Sequence, residues 1–169
     1  MGLSIYNATV PALELALGNL IKIIDKGIAF AAEKKVDGSV LANARLAVDM
    51  FPFSSQIQRV SDSAKGAVAR LAGIDNPSYE DNETSLEDLK ARLVKTLDFI
   101  KSVDASKFDG AETRDITLKA GSNELKFTGA DYLTKFVLPN VYFHVTVAYA
   151  ILRHNGVDVG KMDYLGNIQ

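Results

Sequence analysis

The sequence predicts an all-α protein, an antiparallel four-helix bundle with a small β-hairpin between its third and fourth long helices. Three observations lead there. Four segments carry apolar residues at three- and four-residue steps, the signature of a helix with one buried face. Glycine, proline and capping residues separate those segments. One stretch alone, 116–127, switches to two-residue alternation. Long helices joined by short connections bury their stripes most simply side by side. The 169 residues read as one domain, 1–169. A chain of that length buries roughly 70% of the surface its unfolded form exposes, enough for a core without disulfide or metal staples.

The first helix spans residues 5–35, with Val10, Leu13, Leu17, Leu20, Ile24, Ile28 and Ala31 in one stripe. Pro11 suits only a first turn, so a later start near Thr9 is the alternative. Asp37-Gly38 ends this unit, and a short helical piece follows at 39–47. Pro52 pushes Phe51 out of helical backbone, so the second long helix begins at Phe53. It runs to Leu71 with Phe53, Ile57, Val60, Ala64, Ala67 and Leu71 on one face, Gln56 at the edge of that face, and Gly73 as its stop. Asp62 falls on the opposite side, three residues before Lys65, the spacing of an ion pair.

Residues 73–83 form a polar loop. Thr84 and Glu87 make a capping-box pattern ahead of the third helix, whose stripe is Leu86, Leu89, Leu93, Leu97, Ile100 and Val103. Ile116, Leu118, Leu125 and Phe127 alternate with polar residues around Ala120-Gly121-Ser122-Asn123, which gives a hairpin with one apolar face. A lone hairpin is marginal in water, so it must lie on the helices. Thr128 caps the fourth helix, Asp131 sits in its first turn, and Asn155-Gly156 ends it. The tail from 157 onward has no period, but Met162, Tyr164 and Leu165 equip it to pack along the bundle.

Composition excludes several classes of function. Without cysteine there is no disulfide, thiolate metal site or cysteine nucleophile. The formal net charge is −2 and no block of Lys and Arg occurs, so neither nucleic acid nor an anionic membrane is an expected partner. The first residues lack the basic and apolar regions of a signal peptide. Tyr6 stands where a myristoylation motif on Gly2 needs Ser or Thr. A cytoplasmic location is therefore expected, and the sequons at Asn7 and Asn82 read as incidental. The apolar run 136–152 is interrupted by Pro139, Asn140, His144 and Thr146, and reads as a buried core helix, not a membrane span.

That run holds the candidate site. Leu133, Val137, Asn140, His144, Ala148 and Ile151 share one stripe. Asn140 and His144 stand one turn apart, and Ala148 leaves space beside the imidazole. Pro139 frees a carbonyl near Lys135, and a kink there opens room between helices. A buried amide and imidazole are costly unless bonded. The expectation is a polar cavity at the bundle centre that takes a small-molecule ligand, with Asn140, His144, Gln56 and Tyr149 on its walls. The alternative is that Asn140 and His144 bond each other and nearby backbone, and fix helix register.

His144 has the intrinsic pKa for acid–base work and is the candidate catalytic group. No carboxylate lies one turn away on its helix, so whether the protein is an enzyme stays open. His144 and His154 are about 15 Å apart along a helix and cannot share an ion. No metal and no cofactor is assigned. Asp81-Asn82-Glu83 lacks the glycine and spacing of a calcium loop. Gly156, Gly160 and Gly166 lack a phosphate-loop context, and Ser54-Ser55 has no base beside it in sequence.

Several motifs go further. They are Asp49-Met50-Phe51-Pro52, Gln56, Ser61-Asp62-Ser63-Ala64-Lys65, Ala69-Arg70-Leu71-Ala72-Gly73, Lys95-Thr96-Leu97 and Tyr132-Leu133. With them come Leu138-Pro139-Asn140, Phe143-His144, Ala148-Tyr149-Ala150-Ile151-Leu152-Arg153, Gly156 and Gly160-Lys161-Met162-Asp163-Tyr164-Leu165-Gly166. The combination covers nearly the whole chain. It resembles a family of small microbial proteins classed as a domain of unknown function and allied to the DinB-like four-helix bundles. The resemblance implies the architecture above and a homodimer, and it implies no established activity.

Many DinB-like relatives carry a metal on three histidines, one from the second helix and two from the last helix region. Some are thiol-cofactor-dependent transferases. The resemblance thus adds a metal- or thiol-cofactor-dependent transferase or hydrolase, and a structural dimeric interaction module, as further readings. The chain departs from the metal pattern. Its second long helix has no histidine, and Asn140 and Ala148 flank His144, which alone matches a ligand.

Overall fold

The computed structural model describes residues 4–120 and 123–167. The expected hairpin turn at Gly121-Ser122, the Gly2 motif and the last two residues of the tail lie outside the described residues. The fold is mostly helical, with one antiparallel two-stranded sheet.

Helix α1 is Ile5–Lys34. It starts at Ile5, not near Thr9, and Pro11 lies inside it. The Ser4 hydroxyl caps the end by accepting the Asn7 N–H at 3.1 Å, and burial of Ile5, Thr9 and Val10 holds the first turns in place despite the proline. Helix α2, Gly38–Ala42, is shorter than the expected piece at 39–47. The Asn43 amide turns back onto the Ser39 carbonyl at 2.9 Å, and the Phe53 N–H reaches the Ala44 carbonyl, so the chain bends instead of continuing.

Helix α3, Phe53–Ala72, stops at Gly73 with φ +66°, as the sequence implies. Helix α4 is Leu86–Ser102. Its capping box is Ser85 with Asp88, one residue later than Thr84 with Glu87. The Asp88 carboxylate accepts the N–H of both Thr84 and Ser85 at 3.1 Å, while the Ser85 hydroxyl takes the Asp88 N–H at 3.0 Å.

Strands β1 (Asp115–Ala120) and β2 (Asn123–Thr128) pair with Ile116 opposite Phe127 and Leu118 opposite Leu125. Ile116 and Leu118 are buried, and Leu125 stays exposed, so the apolar face is covered in part. Thr128 caps helix α5, Gly129–Asp131, as expected. A π-helical segment, Tyr132–Val137, then leads into helix α6, Leu138–His154. The wide turn lies directly before Pro139, which offers no N–H and crowds the turn preceding it. Helix α7, Lys161–Leu165, packs on α1. Val157 and Val159 of the tail are buried, whereas Met162 is exposed.

Helix α3 packs against α4 on one side and α6 on the other, and α1 lies against both of those partners. Thirteen of the 20 residues of α3 are buried, which explains its many Ala, Gly and Ser residues. The helical stretch Gly129–His154, with an 18-residue window of mean hydropathy 1.3, is the one among the described residues long and apolar enough to cross a membrane. Here it lies along α3.

On the α4 side, the seam of α3 holds a buried polar network. The Ser61 and Thr96 hydroxyls meet at 2.7 Å, and Thr96 donates to the Arg92 carbonyl at 2.8 Å. The Arg92 side chain is only 2% exposed. It pairs with Glu83 at 2.7 Å, Asp81 at 2.9 Å and Asp62 at 3.0 Å, and donates to the Glu80 carbonyl at 2.9 Å. Lys65 makes the expected pair with Asp62 at 3.2 Å. The Tyr79 ring lies beneath the Lys95 and Lys65 ammonium groups at 4.1 and 5.1 Å. One guanidinium therefore straps the polar loop at 73–85 onto α3 and α4.

Burial alone would raise the Glu83 carboxyl, but hydrogen bonds from Arg92 and Gln58 outweigh it and hold the group below its usual range. Removing one partner of a buried ion pair costs about 3–5 kcal/mol. Arg92→Ala is expected to lose that order of stability in urea unfolding. The first amides to exchange faster should be those of residues 75–84. Glu83 releases its proton more readily when folded, so its contribution is complete above the ordinary carboxylate range and is lost as pH falls. That part of the acid sensitivity should be smaller in the variant.

Candidate functional site

The other seam, between α3 and α6, holds the predicted residues. Pro52 keeps Phe51 outside α3, so the Phe51 carbonyl is free of helix bonding. Gln56, in the first turn of α3 and 1% exposed, donates its amide N–H to that carbonyl at 3.1 Å. Its Oε1 is then turned toward α6, where it meets the His144 Nδ1 at 2.7 Å. An amide oxygen only accepts, so Nδ1 must carry the proton. The Nε2 of His144 is left as an acceptor and makes no hydrogen bond among the described residues.

The imidazole is half-buried, with Phe143 edge-on at 5.2 Å. Burial pushes the His144 pKa below its ordinary value, and the Arg59 charge adds to the shift. Both effects favour the neutral ring at pH 7.

One turn earlier on α6, Asn140 is also half-buried and donates to the Ser63 hydroxyl at 2.7 Å. The structure thus brings Gln56, Asn140 and His144 to one seam. Tyr149 is placed elsewhere. Its hydroxyl donates to the Val159 carbonyl at 3.4 Å, and its ring stands edge-on to Tyr164, so it supports the tail.

Two expectations change. Asn140 and His144 bond across to α3, not to each other. They also stand at the rim of the seam, while Leu13, Leu17, Ile57, Val60 and Leu93 fill the centre with no exposure at all. The π turn accounts for the second change. It adds a residue to one turn, so Leu133 and Val137 within it and Asn140 and His144 after it do not stay on one line. Two grooves among the described residues lie elsewhere, at Tyr79 and Arg92 and between α1 and α4.

Sequence reasoning missed Ser63 and Arg59. Ser63 lies seven residues after Gln56, two helical turns along, and could have been found by extending its face. Arg59 is exposed and its role appears only through its position beside Phe51. The residues do not fit the three-histidine metal that the resemblance implies. Among the described residues no group of three His, Cys, Asp or Glu side chains is placed to hold a metal ion, and the Gln56 oxygen is occupied by the ring.

As pH falls, the unfolded chain takes a proton on His144 before the folded chain does. Stability linked to this group is therefore complete above the ordinary histidine pKa of about 6.5 and declines below it. Urea midpoints at pH 7.5 and 5.0 should differ less in His144→Gln than in the parent chain. Gln56→Leu strands the imidazole N–H and the Phe51 carbonyl, and is expected to cost about 1–3 kcal/mol.

Residues 5–165 match the family described as Domain of unknown function (DUF1993). Among solved structures, the crystal structure at 1.83 Å of a DinB family member protein from Shewanella denitrificans is similar. It is 42% identical, with 96% of this chain and 92% of that chain covered and a TM-score of 0.87. No curated protein matches the chain. The matched span and the fold together show that the chain belongs to the DUF1993 family, with a DinB-like fold.

Proposed function

We propose that the chain binds a small molecule at the rim of the α3–α6 seam, through the Nε2 of a neutral His144. The carrying observation is the relay from the Phe51 carbonyl through Gln56 to the ring. It fixes the tautomer, orients the ring and leaves Nε2 as an acceptor with no hydrogen bond among the described residues. A buried glutamine bonded at both ends is a costly way to hold a histidine that has no task, since a leucine would fill the same space. Asn140 and Ser63 hold the two helices in register beside the ring. We read the four long helices as an antiparallel bundle. The Gln56–His144 and Ser63–Asn140 pairs support this for α3 and α6, because residue numbers rise on one helix as they fall on the other.

The chemistry open to this ring is acceptance of a hydrogen bond, and beyond it acceptance of a proton. A metal-dependent transferase has no ligand set to rest on here. A second copy of the chain is favoured as partner by exposed Tyr142 and Phe143 on α6, next to His144. Light scattering over a dilution series separates that dimer from a monomer.

Only two histidines occur, so the carbon-bound ring protons give two pairs of NMR signals, assigned with His154→Asn. A fragment library rich in hydrogen-bond donors is expected to shift the His144 signal and leave His154 unmoved. The same compounds should lose affinity for a folded His144→Phe variant. If no compound moves the His144 signal at millimolar concentration, the ring serves structure alone.

A further inference from the structure

The chain has six arginines, and all are described. Five have an acceptor. Arg45 donates to the Met50 carbonyl, Arg70 to the Tyr132 hydroxyl, and Arg114 to the Leu71 carbonyl. Arg92 holds its carboxylates, and Arg153 lies 3.6 Å from Asp158. Arg59 alone has neither an ion pair nor a hydrogen bond among the described residues. Its guanidinium stands over the Phe51 ring, 5.4 Å from the centroid.

Phe51 is also the residue whose carbonyl anchors Gln56. The same residue thus holds the free cation with its ring and the histidine relay with its backbone. Arg59 lies three residues after Gln56 on α3, within one helical turn. A guanidinium without a counter-charge and an imidazole acceptor without a donor are therefore side by side. Each lacks what the other cannot supply. A guanidinium fork matches a carboxylate in two parallel bonds, and a cation on an aromatic face keeps its donors free for that.

We propose, resting on the binding role of His144 above, that the ligand class is a small hydroxycarboxylic acid. Its carboxylate lies on Arg59 and its hydroxyl donates to the His144 Nε2. The complex needs no proton transfer, since the acid binds ionised and the imidazole neutral. The exposed Phe51 and Phe143 rings border the site and favour a short carbon chain over a bare inorganic anion.

The test uses the His144 ring signal of the full chain. The probes are glycolate, 3-hydroxybutyrate, acetate, glycolamide and inorganic phosphate, each titrated at pH 7.5 and low salt. Glycolate or 3-hydroxybutyrate should bind at least about tenfold tighter than acetate, which lacks the donor, and than glycolamide, which lacks the charge. Arg59→Gln, at an exposed position where folding should persist, should remove the preference for acid over amide and leave donor binding at His144 intact.

Equal binding of glycolamide and glycolate, or an unchanged preference in Arg59→Gln, overturns the inference. So does a response to phosphate without a response to either hydroxy acid. In those cases a neutral fragment can still shift His144, and the binding role survives. Silence from every probe and every fragment removes both.

Discussion

Helix α3 is enclosed along most of its length, and that enclosure governs the polar chemistry of the molecule. A helix with more than half of its residues buried keeps several polar side chains from water. Each of those must find a partner on a neighbouring segment. A buried hydrogen bond contributes only about 0.5–1.5 kcal/mol net, but a missing one costs about 1–3 kcal/mol. The second figure is the larger, so the decisive requirement is that no buried polar group on α3 is orphaned. Ser61, Asp62 and Lys65 find partners toward α4 and the strap, and Gln56 and Ser63 toward α6. The buried side-chain atoms left without a bond among the described residues are Thr9 Oγ1 and Arg92 Nε, and neither is on α3.

The two seams solve the same problem with different outcomes. Toward α4, charges close on charges. Arg92 is surrounded by three carboxylates and a carbonyl, with its Nε alone left unbonded. Its consequence is a strapped loop and a stability that depends on pH. Toward α6, the chain of bonds is neutral and ends at an acceptor with nothing on it. Neutrality matters there, because a charged imidazole would donate from both nitrogens and could not receive a donor. Burial and the Arg59 charge both favour the neutral form, so the surroundings that bond the ring also set its protonation.

Much of this was legible in the sequence. The helical stripes, Gly73 as a stop, Thr128 as a cap and the period-two hairpin follow from local rules, and the structure follows them. Asp62 and Lys65 pair because their spacing lets them. Asn140 and His144 were found because polar groups in an apolar helix are conspicuous. What was hidden depends on contacts between distant segments. That Arg92 would be buried could not be read from α4, because its partners Asp81 and Glu83 sit on a loop whose path is a tertiary matter. The capping box moved by one residue because Thr84 and Ser85 can both cap, and the choice is made by where the Asp88 carboxylate reaches. The π turn carries no local signature beyond Pro139, yet it offsets the stripe and moves the histidine from the centre to the rim.

The Phe51–Gln56–His144 relay is tested most directly by long-range proton–nitrogen correlation NMR of the His144 ring at pH 7. The expected spectrum is that of a neutral imidazole protonated on Nδ1, with an Nε2 shift typical of an unprotonated, pyridine-like nitrogen, and with that pattern lost in Gln56→Leu. A ring protonated on Nε2, or a doubly protonated imidazolium at that pH, would contradict it.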